Sequence, residues 1–345
     1  MSLVIAIVTP LEGELVDRIR AAARGDDVLF DATLLPAPRY PSDHRGDPHF
    51  TRSPAGEERF WSVVGRAEVL YGIPGDTGAG LAEAVRRAPG LRWVQATAAG
   101  AGEQVRAAQL GDALERVTVT SAAGVHGGPL AEFAFYGLLA LRRDAARYAR
   151  LRAERRWDHF ANAELEGETI AIVGMGSIGR AIAVRARAFG MHVVGVTRTG
   201  APVAEAHETV AMRDLPAIAA RAGVLAVTLP GTEQTRGLVD RATIAALRPD
   251  AIVVNVGRGA VIDQAALVEA LERKAIAGAV LDVFDPEPLP PDNPLWTLEN
   301  VVFSPHTAAL SVRENERIVA LFIDNLRRFR NGEPLRNAVN VREFY

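Results

Sequence analysis

The feature that most constrains this chain is a glycine-spaced turn between a strand and a helix. Ile170 to Val173 is a short apolar run, Gly174-Met175-Gly176-Ser177-Ile178-Gly179 follows, and Arg180 to Phe189 then has helical periodicity. A G-x-G-x-x-G pattern alone is weak, because tight turns need glycine anyway. In strand–turn–helix context it points to a dinucleotide pyrophosphate. Gly174 permits the turn, Gly176 lets backbone approach the pyrophosphate, and Gly179 lets helix and strand pack closely. The anion, held around Ser177 and Ile178, meets free N–H groups and the positive end of the helix dipole. At the end of the next strand an acidic residue would bind a ribose 2′-hydroxyl and a basic one a 2′-phosphate. The sequence there is Val196-Thr197-Arg198-Thr199. No carboxylate stands in it, and Arg198 can fork two donors toward a phosphate. NADP is the expected cofactor, with NAD as the alternative.

At 345 residues the chain is long enough for about two domains. Apolar β-prone runs at Leu3 to Val8, Glu68 to Tyr71, Trp93 to Thr97 and Val117 to Thr120 alternate with helical stretches such as Leu11 to Ala23 and Leu81 to Arg87. A long amphipathic helix is expected after Pro129, running through Phe133, Leu138 and Leu141 to about Arg150. Six further strands are expected at Thr169 to Val173, His192 to Val196, Val224 to Thr228, Ala251 to Val256, Gly278 to Leu281 and Val301 to Phe303, and a last helix at Arg313 to Arg330 with Ile318, Leu321, Phe322 and Leu326 inward. Alternating strands and helices define an α/β protein with parallel sheets. Pro36 to Ala55 shows no period and reads as a solvated surface loop; its Asp43, His44, Asp47 and His49 are not expected to hold a metal.

Composition removes several classes of function. Basic residues number 39 and acidic ones 42, a net charge of −3, so nothing supplies the positive field that a nucleic acid requires. Cysteine is absent, which excludes thiolate nucleophiles, disulfides and cysteine-ligated metals. Lys274 is the only lysine and sits in a charged, helical Leu267 to Lys274 stretch, where it reads as solvated. The longest stretches without charge or histidine, Met1 to Leu11 and Ala222 to Thr232 among them, are too short to span a bilayer. The opening run lacks a basic n-region and reads as a buried strand, so a soluble cytoplasmic protein is expected.

Three polar residues follow three expected strands: Arg258 in Val256-Gly257-Arg258-Gly259, Glu287 in Asp285-Pro286-Glu287-Pro288, and His306 in Ser304-Pro305-His306. Ligands of open α/β sheets bind beyond the carboxyl ends of strands, so these residues can converge. The set suits hydride transfer to a 2-oxo acid. A guanidinium can polarise the ketone and hold the carboxylate, an imidazole can protonate the nascent alkoxide, and a carboxylate can orient the ring and favour imidazolium.

With these motifs in order, the sequence resembles the D-isomer-specific 2-hydroxyacid dehydrogenase family. The matching segments are Glu164 to Ile170 leading into the glycine turn, Thr228-Leu229-Pro230 with Thr235, Asn255 to Gly259, Asp282 to Pro288, and Ser304-Pro305-His306. The resemblance implies Arg258 as substrate-polarising residue, His306 as acid/base and Glu287 as its partner. It also implies cofactor contacts at the glycine turn, Thr197, Arg198, Thr199, Leu229, Pro230, Thr235, Val256, Gly257 and Asp282. Ala99-Gly100-Ala101-Gly102 resembles the family loop whose N–H groups bind the substrate carboxylate, with Arg258 and His306 as the other substrate contacts. The implied architecture is two doubly wound parallel-sheet domains: a Rossmann nucleotide-binding domain, 123–311, inserted into a flavodoxin-like substrate domain, 1–122 and 312–345. The Pro129 helix is expected to help form a homodimer.

The resulting expectation is an NADP-preferring reductase of small 2-oxo acids, of glyoxylate/hydroxypyruvate type, yielding D-hydroxy acids. One alternative is a formate dehydrogenase-like enzyme, which resembles this family but carries glutamine where Glu287 stands. Another is a nucleotide-sensing co-repressor-like scaffold, against which the intact Arg258, Glu287 and His306 argue.

Overall fold

The computed structural model describes residues 2–340. The chain divides into two compact units, Met1–His126 with Leu310–Tyr345, and Gly127–Ala309. The crossings thus fall at His126/Gly127 and Ala309/Leu310, a few residues from the expected 122/123 and 311/312; positions 341–345 lie outside the described residues.

The first unit runs β1 (Val4–Ile7), α1 (Gly13–Ala22), β2 (Asp27–Leu29), α2 (Pro54–Gly65), β3 (Val69–Tyr71), α3 (Gly78–Arg87), β4 (Trp93–Gln95), α4 (Ala101–Ala108) and β5 (Thr118–Thr120). The strands form one parallel sheet in the order β2-β1-β3-β4-β5, the flavodoxin-like arrangement. β2 escaped the sequence reading because it is a half-buried edge of three residues. α2 escaped it as well, although Ser53 caps Gly56 N at 3.2 Å and Pro54 sits in its first turn.

The second unit holds α5 (Gly127–Arg142), α6 (Ala145–Glu154), β6 (Thr169–Val173), α7 (Ser177–Ala188), β7 (His192–Thr197), β8 (Glu208–Ala211), α8 (Leu215–Ala219), β9 (Val224–Val227), α9 (Arg241–Ala245), β10 (Ile252–Asn255), α10 (Gln264–Glu272), β11 (Gly278–Leu281) and β12 (Val301–Phe303). Its parallel sheet has the order β12-β11-β10-β9-β6-β7-β8, a doubly wound nucleotide-binding arrangement. Seven strands are present where six were expected. The additional β8, Glu-Thr-Val-Ala, pairs on one side only and has no apolar run to betray it. The single helix expected to reach Arg150 is two. Asp144 takes a left-handed conformation, φ 50°, and its carboxylate caps Arg147 N at 3.1 Å, starting α6. Lys274 lies beyond the end of α10 rather than inside a helix, with φ 53°.

The last helix, α11 (Glu314–Arg330), completes the first unit. Phe322 stacks on Trp93 with centroids 4.9 Å apart and meets Tyr71 edge-on at 5.2 Å. Ile318, Val319, Phe322 and Leu326 are its buried apolar face; Val319 takes the place expected for Leu321, which is only half-buried. Burying such a stripe, at about 1.5–3 kcal/mol per large side chain, is what ties this distant segment to the first sheet.

The Pro36 to Ala55 loop is not merely solvated. Asp43 is 4% exposed and is its hub, accepting from the Arg39 side chain at 2.7 and 3.1 Å and from the backbone of Arg39 and Gly46, each at 3.1 Å. The Arg39 hydrogen bond chiefly holds the Asp43 pKa down to about 2. Next to it, His44 and His126 each direct Nε2 at Glu314 Oε1, at 3.4 and 3.0 Å. Burial opposes charge on Glu314, but the two histidines outweigh it and leave its pKa at about 2. Loop, crossing segment and helix start are thereby fastened together. Among the described residues no group of three or more His, Asp or Glu could hold a metal, and no helix is long and apolar enough to cross a membrane.

Candidate active site

The order of the second sheet reverses between β6 and β9, and the glycine turn lies at that switch point, where open α/β sheets bind ligands. Gly174 has φ 97°, a left-handed conformation, and a Cβ there would come within 2.8 Å of Leu229 Cδ2. A Cβ on Gly179 would lie 2.0 Å from Gly174 O, so glycine alone lets α7 start this close to β6. Gly176 is different: a Cβ there would meet nothing within 4 Å, which leaves room for a ligand against its backbone. Ser177 and Gly176 are exposed, Ile178 is half-buried, and α7 begins without a side-chain cap. Its first N–H groups are therefore available to an anion. Thr228 pins the turn from β9 by donating its hydroxyl to Gly174 O at 2.7 Å.

Beyond β7, Thr197 Oγ1 accepts from Gly200 N at 3.0 Å and Thr199 Oγ1 from Ala201 N at 3.4 Å. Both hydroxyls shape the turn, while the exposed Arg198 has no ion-pair partner among the described residues. After β9, Thr235 donates to Pro230 O at 2.7 Å and accepts from Thr232 N at 2.9 Å. Its hydroxyl fastens the Leu229-Pro230 loop. Gly257 packs on that loop, where a Cβ would come 2.5 Å from Leu229 O; Val256, at the strand end beside it, is buried.

Arg258, Glu287 and His306 follow β10, β11 and β12, three adjacent parallel strands, and so leave the same edge of the sheet. Asn255 sets the first of these loops. It accepts from Gly257 N at 3.1 Å and donates to Arg258 O at 3.1 Å, while Arg258 Nη1 donates to Gly257 O at 2.9 Å. The second loop interlocks with the first. Gly259 approaches Phe284 so closely that a Cβ would lie 2.0 Å from its carbonyl carbon, and Gln264 exchanges two 3.0 Å hydrogen bonds with the Asp285 backbone. Glu287 then accepts from Phe284 N at 2.9 Å through Oε1, and its Oε2 lies 2.7 Å from His306 Nδ1.

His306 has φ 57°, a conformation that costs a non-glycine residue on the order of 1–3 kcal/mol and recurs at functional sites. Asp282 sustains it. Asp282 O accepts from His306 N at 3.0 Å, and Oδ1 accepts from Ser304 Oγ at 2.9 Å and Ala308 N at 3.0 Å. Asp282 is 1% exposed, so the residue expected as a cofactor contact spends this oxygen on positioning the histidine loop. Asn255, Thr228, Ser304 and Gln264 had no assigned role in the sequence reading. The first three are polar residues ending apolar strands, and that was the available signal.

In the first unit, Ala99-Gly100-Ala101-Gly102 is not a free loop. Ala101 and Gly102 open α4, Gly100 is its N-cap, and no side chain caps it. Backbone N–H groups aimed past a strand end suit a carboxylate.

Fold and dyad together define an oxidoreductase that uses a nicotinamide dinucleotide. The cradle fits that group: open space at Gly176, an uncapped helix start, and close-packed glycines behind. Residues 135–308 match the model of the D-isomer specific 2-hydroxyacid dehydrogenase, NAD binding domain. A glyoxylate reductase of Korarchaeum cryptofilum is 37% identical over 65% of this chain and 69% of its own. Among solved structures, a D-isomer specific 2-hydroxyacid dehydrogenase of Xanthobacter autotrophicus in complex with NADPH and MES superposes with a TM-score of 0.77, at 28% identity and full coverage of both chains. An NADPH-dependent glyoxylate/hydroxypyruvate reductase of Sinorhizobium meliloti, in complex with NADP and sulfate, does so with 0.76, at 25% identity and 99% coverage of each. The chain belongs to the D-isomer-specific 2-hydroxyacid dehydrogenase family of NAD(P)-dependent oxidoreductases.

Proposed function

We propose that this protein is a cytoplasmic, NADP(H)-preferring reductase of small 2-oxo acids, of glyoxylate/hydroxypyruvate type, producing D-2-hydroxy acids. The observation that carries the reading is the 2.7 Å contact of Glu287 Oε2 with His306 Nδ1 on strand ends adjoining that of Arg258. A 2-oxo-acid reduction needs a proton as well as a hydride, and this dyad is a proton donor. The bound reduced nicotinamide supplies the hydride. Glu287 fixes Nδ1–H, which leaves His306 Nε2 to give its proton to the oxygen developing on C2. Arg258 holds the carboxylate and polarises the ketone. Ala99, Gly100 and Ala101 offer backbone N–H groups to the same carboxylate, and Gly174, Gly176, Ser177, Ile178, Gly179, Leu229, Pro230, Val256 and Gly257 hold the dinucleotide. Steady-state turnover of glyoxylate, hydroxypyruvate and pyruvate with both reduced cofactors tests the reading. Absence of turnover across a broad 2-oxo-acid panel would return it to the scaffold alternative.

Cofactor preference rests on Arg198. Replacing it by Ala is expected to lower kcat/KM for NADPH about tenfold, the worth of about 1.4 kcal/mol of charge-assisted hydrogen bonding, with little change for NADH. Wild-type preference for NADH would refute the assignment. A homodimer through α5 belongs to the same reading, since Tyr136 on that helix is 64% exposed; a monomer in sedimentation equilibrium would remove it.

A further inference from the structure

The segment that carries Glu287 is poorly equipped to hold itself. Phe284 and Leu289 anchor its two ends in the core of the second unit, but Asp285, Pro286, Glu287 and Pro288 between them are exposed. Pro286 and Pro288 have no N–H to donate, so the segment is short of the backbone hydrogen bonds that would fix a turn. Asp285 N is a donor that remains, and it goes to a side chain. Gln264 Oε1 accepts from it at 3.0 Å, and Gln264 Nε2 donates to Asp285 O, also at 3.0 Å. A carboxamide presents one donor and one acceptor side by side, the pair that a neighbouring strand would offer. The clamp has a firm base. Gln264 is the first residue of α10, whose N-cap, Asp263, accepts from Ala266 N and donates its own N–H to Val239 O, each at 3.0 Å. The other polar tie to Asp285, the Arg236 ion pair at 3.2 Å, joins two exposed side chains and is worth little.

We propose that Gln264 is a positioning residue for the proton-transfer step: by fixing the Asp285 backbone it sets the reach of Glu287 to His306. The inference rests on the reductase reading above and deepens it. Glu287 lies two residues beyond the clamped Asp285. Its Oε1 accepts from Phe284 N at 2.9 Å, just before that residue, and its Oε2 lies 2.7 Å from His306 Nδ1. A carboxylate bonded back to its own loop moves with the loop. Displacing Asp285 therefore displaces the acceptor that fixes Nδ1–H and, through the ring, the proton that Nε2 gives up. Gln264 acts only through Glu287, which makes its effect separable.

Initial rates with glyoxylate, hydroxypyruvate and pyruvate, at saturating reduced cofactor, are compared for the full chain, Gln264→Ala, Gln264→Glu, Glu287→Gln and the double variant Gln264→Ala with Glu287→Gln. Gln264→Ala is expected to lower kcat about tenfold, with KM for the 2-oxo acid nearly unchanged. Gln264→Glu keeps the acceptor for Asp285 N and should lose only about threefold. In the Glu287→Gln background Gln264→Ala should cost nothing further, since the residue acts through that carboxylate. An unchanged kcat, a loss carried by KM, or losses that multiply in the double variant overturn the assignment while leaving the reductase reading intact. If none of the acids is reduced, the reductase reading fails, and nitrogen NMR of protein labelled in its histidine rings decides the positioning role separately, the His306 signal being identified by its loss in His306→Ala. A His306 Nδ1 resonance that moves in Gln264→Ala toward its place in Glu287→Ala upholds the role; one that stays at the wild-type position overturns it. Gln264→Glu carries both comparisons if Gln264→Ala does not fold.

Discussion

Replacing His306 by Ala is expected to lower kcat on the order of 10²–10⁴-fold, the usual contribution of a positioned general acid. Cofactor affinity should be nearly unchanged, because the proposed dinucleotide cradle uses the β6 turn and the β9 and β10 loops rather than the β12 loop. The fold should also survive. The imidazole is 43% exposed, and what organises the loop is Asp282 with Ser304 and Ala308, none of which the substitution removes. Cofactor titration by fluorescence beside steady-state kinetics separates the two effects. A kcat near that of the wild type would reject His306 as the proton donor.

Arg258→Ala should act on kcat and KM together, lowering kcat/KM on the order of 10²–10³-fold. In the proposed role the guanidinium contacts the substrate both as bound and in the transition state, so both parameters are expected to change. Its stem packs against Gly231, where a Cβ would sit 3.3 Å from Arg258 Cγ, and Asn255 fixes its carbonyl. Arg258→Lys should therefore recover little, since an ammonium cannot reproduce a planar fork aimed from this loop. Initial-rate measurements over a range of 2-oxo-acid concentrations check both variants. An unchanged kcat/KM in Arg258→Ala would remove the residue from the mechanism.

Much of the second sheet was legible because each core strand is a continuous apolar run. Residues 169–173, 278–281 and 301–303 form strands with the expected limits. The edge strands β2 and β8 were not legible, unlike the apolar edge β12: each pairs on one side only, and three or four mixed residues carry no period. Helices that begin inside glycine-rich or proline-rich segments, α4 and α2, were hidden by the turn chemistry that starts them. The break at Asp144 was missed for the opposite reason, because apolar spacing continues across it.

The candidate site divides in the same way. Arg258, Glu287 and His306 could be read from their positions after strands, since a residue type and a strand end are both local properties. That Glu287 reaches Nδ1 of His306, and that Asp282 faces inward to hold the histidine loop, depends on hydrogen bonds between residues 19 to 26 positions apart. The β10–β12 neighbours supply that proximity. Residue order alone determined the alternation of strands and helices, the phosphate turn and the chemistry on offer, because these follow from near-neighbour backbone preferences and periodic burial. Tertiary packing brought Glu287 to His306 and aimed Asp282 at the histidine loop, and it made an unpatterned proline-rich loop line a cavity. Orientation and desolvation arise only when distant segments exclude water from one another.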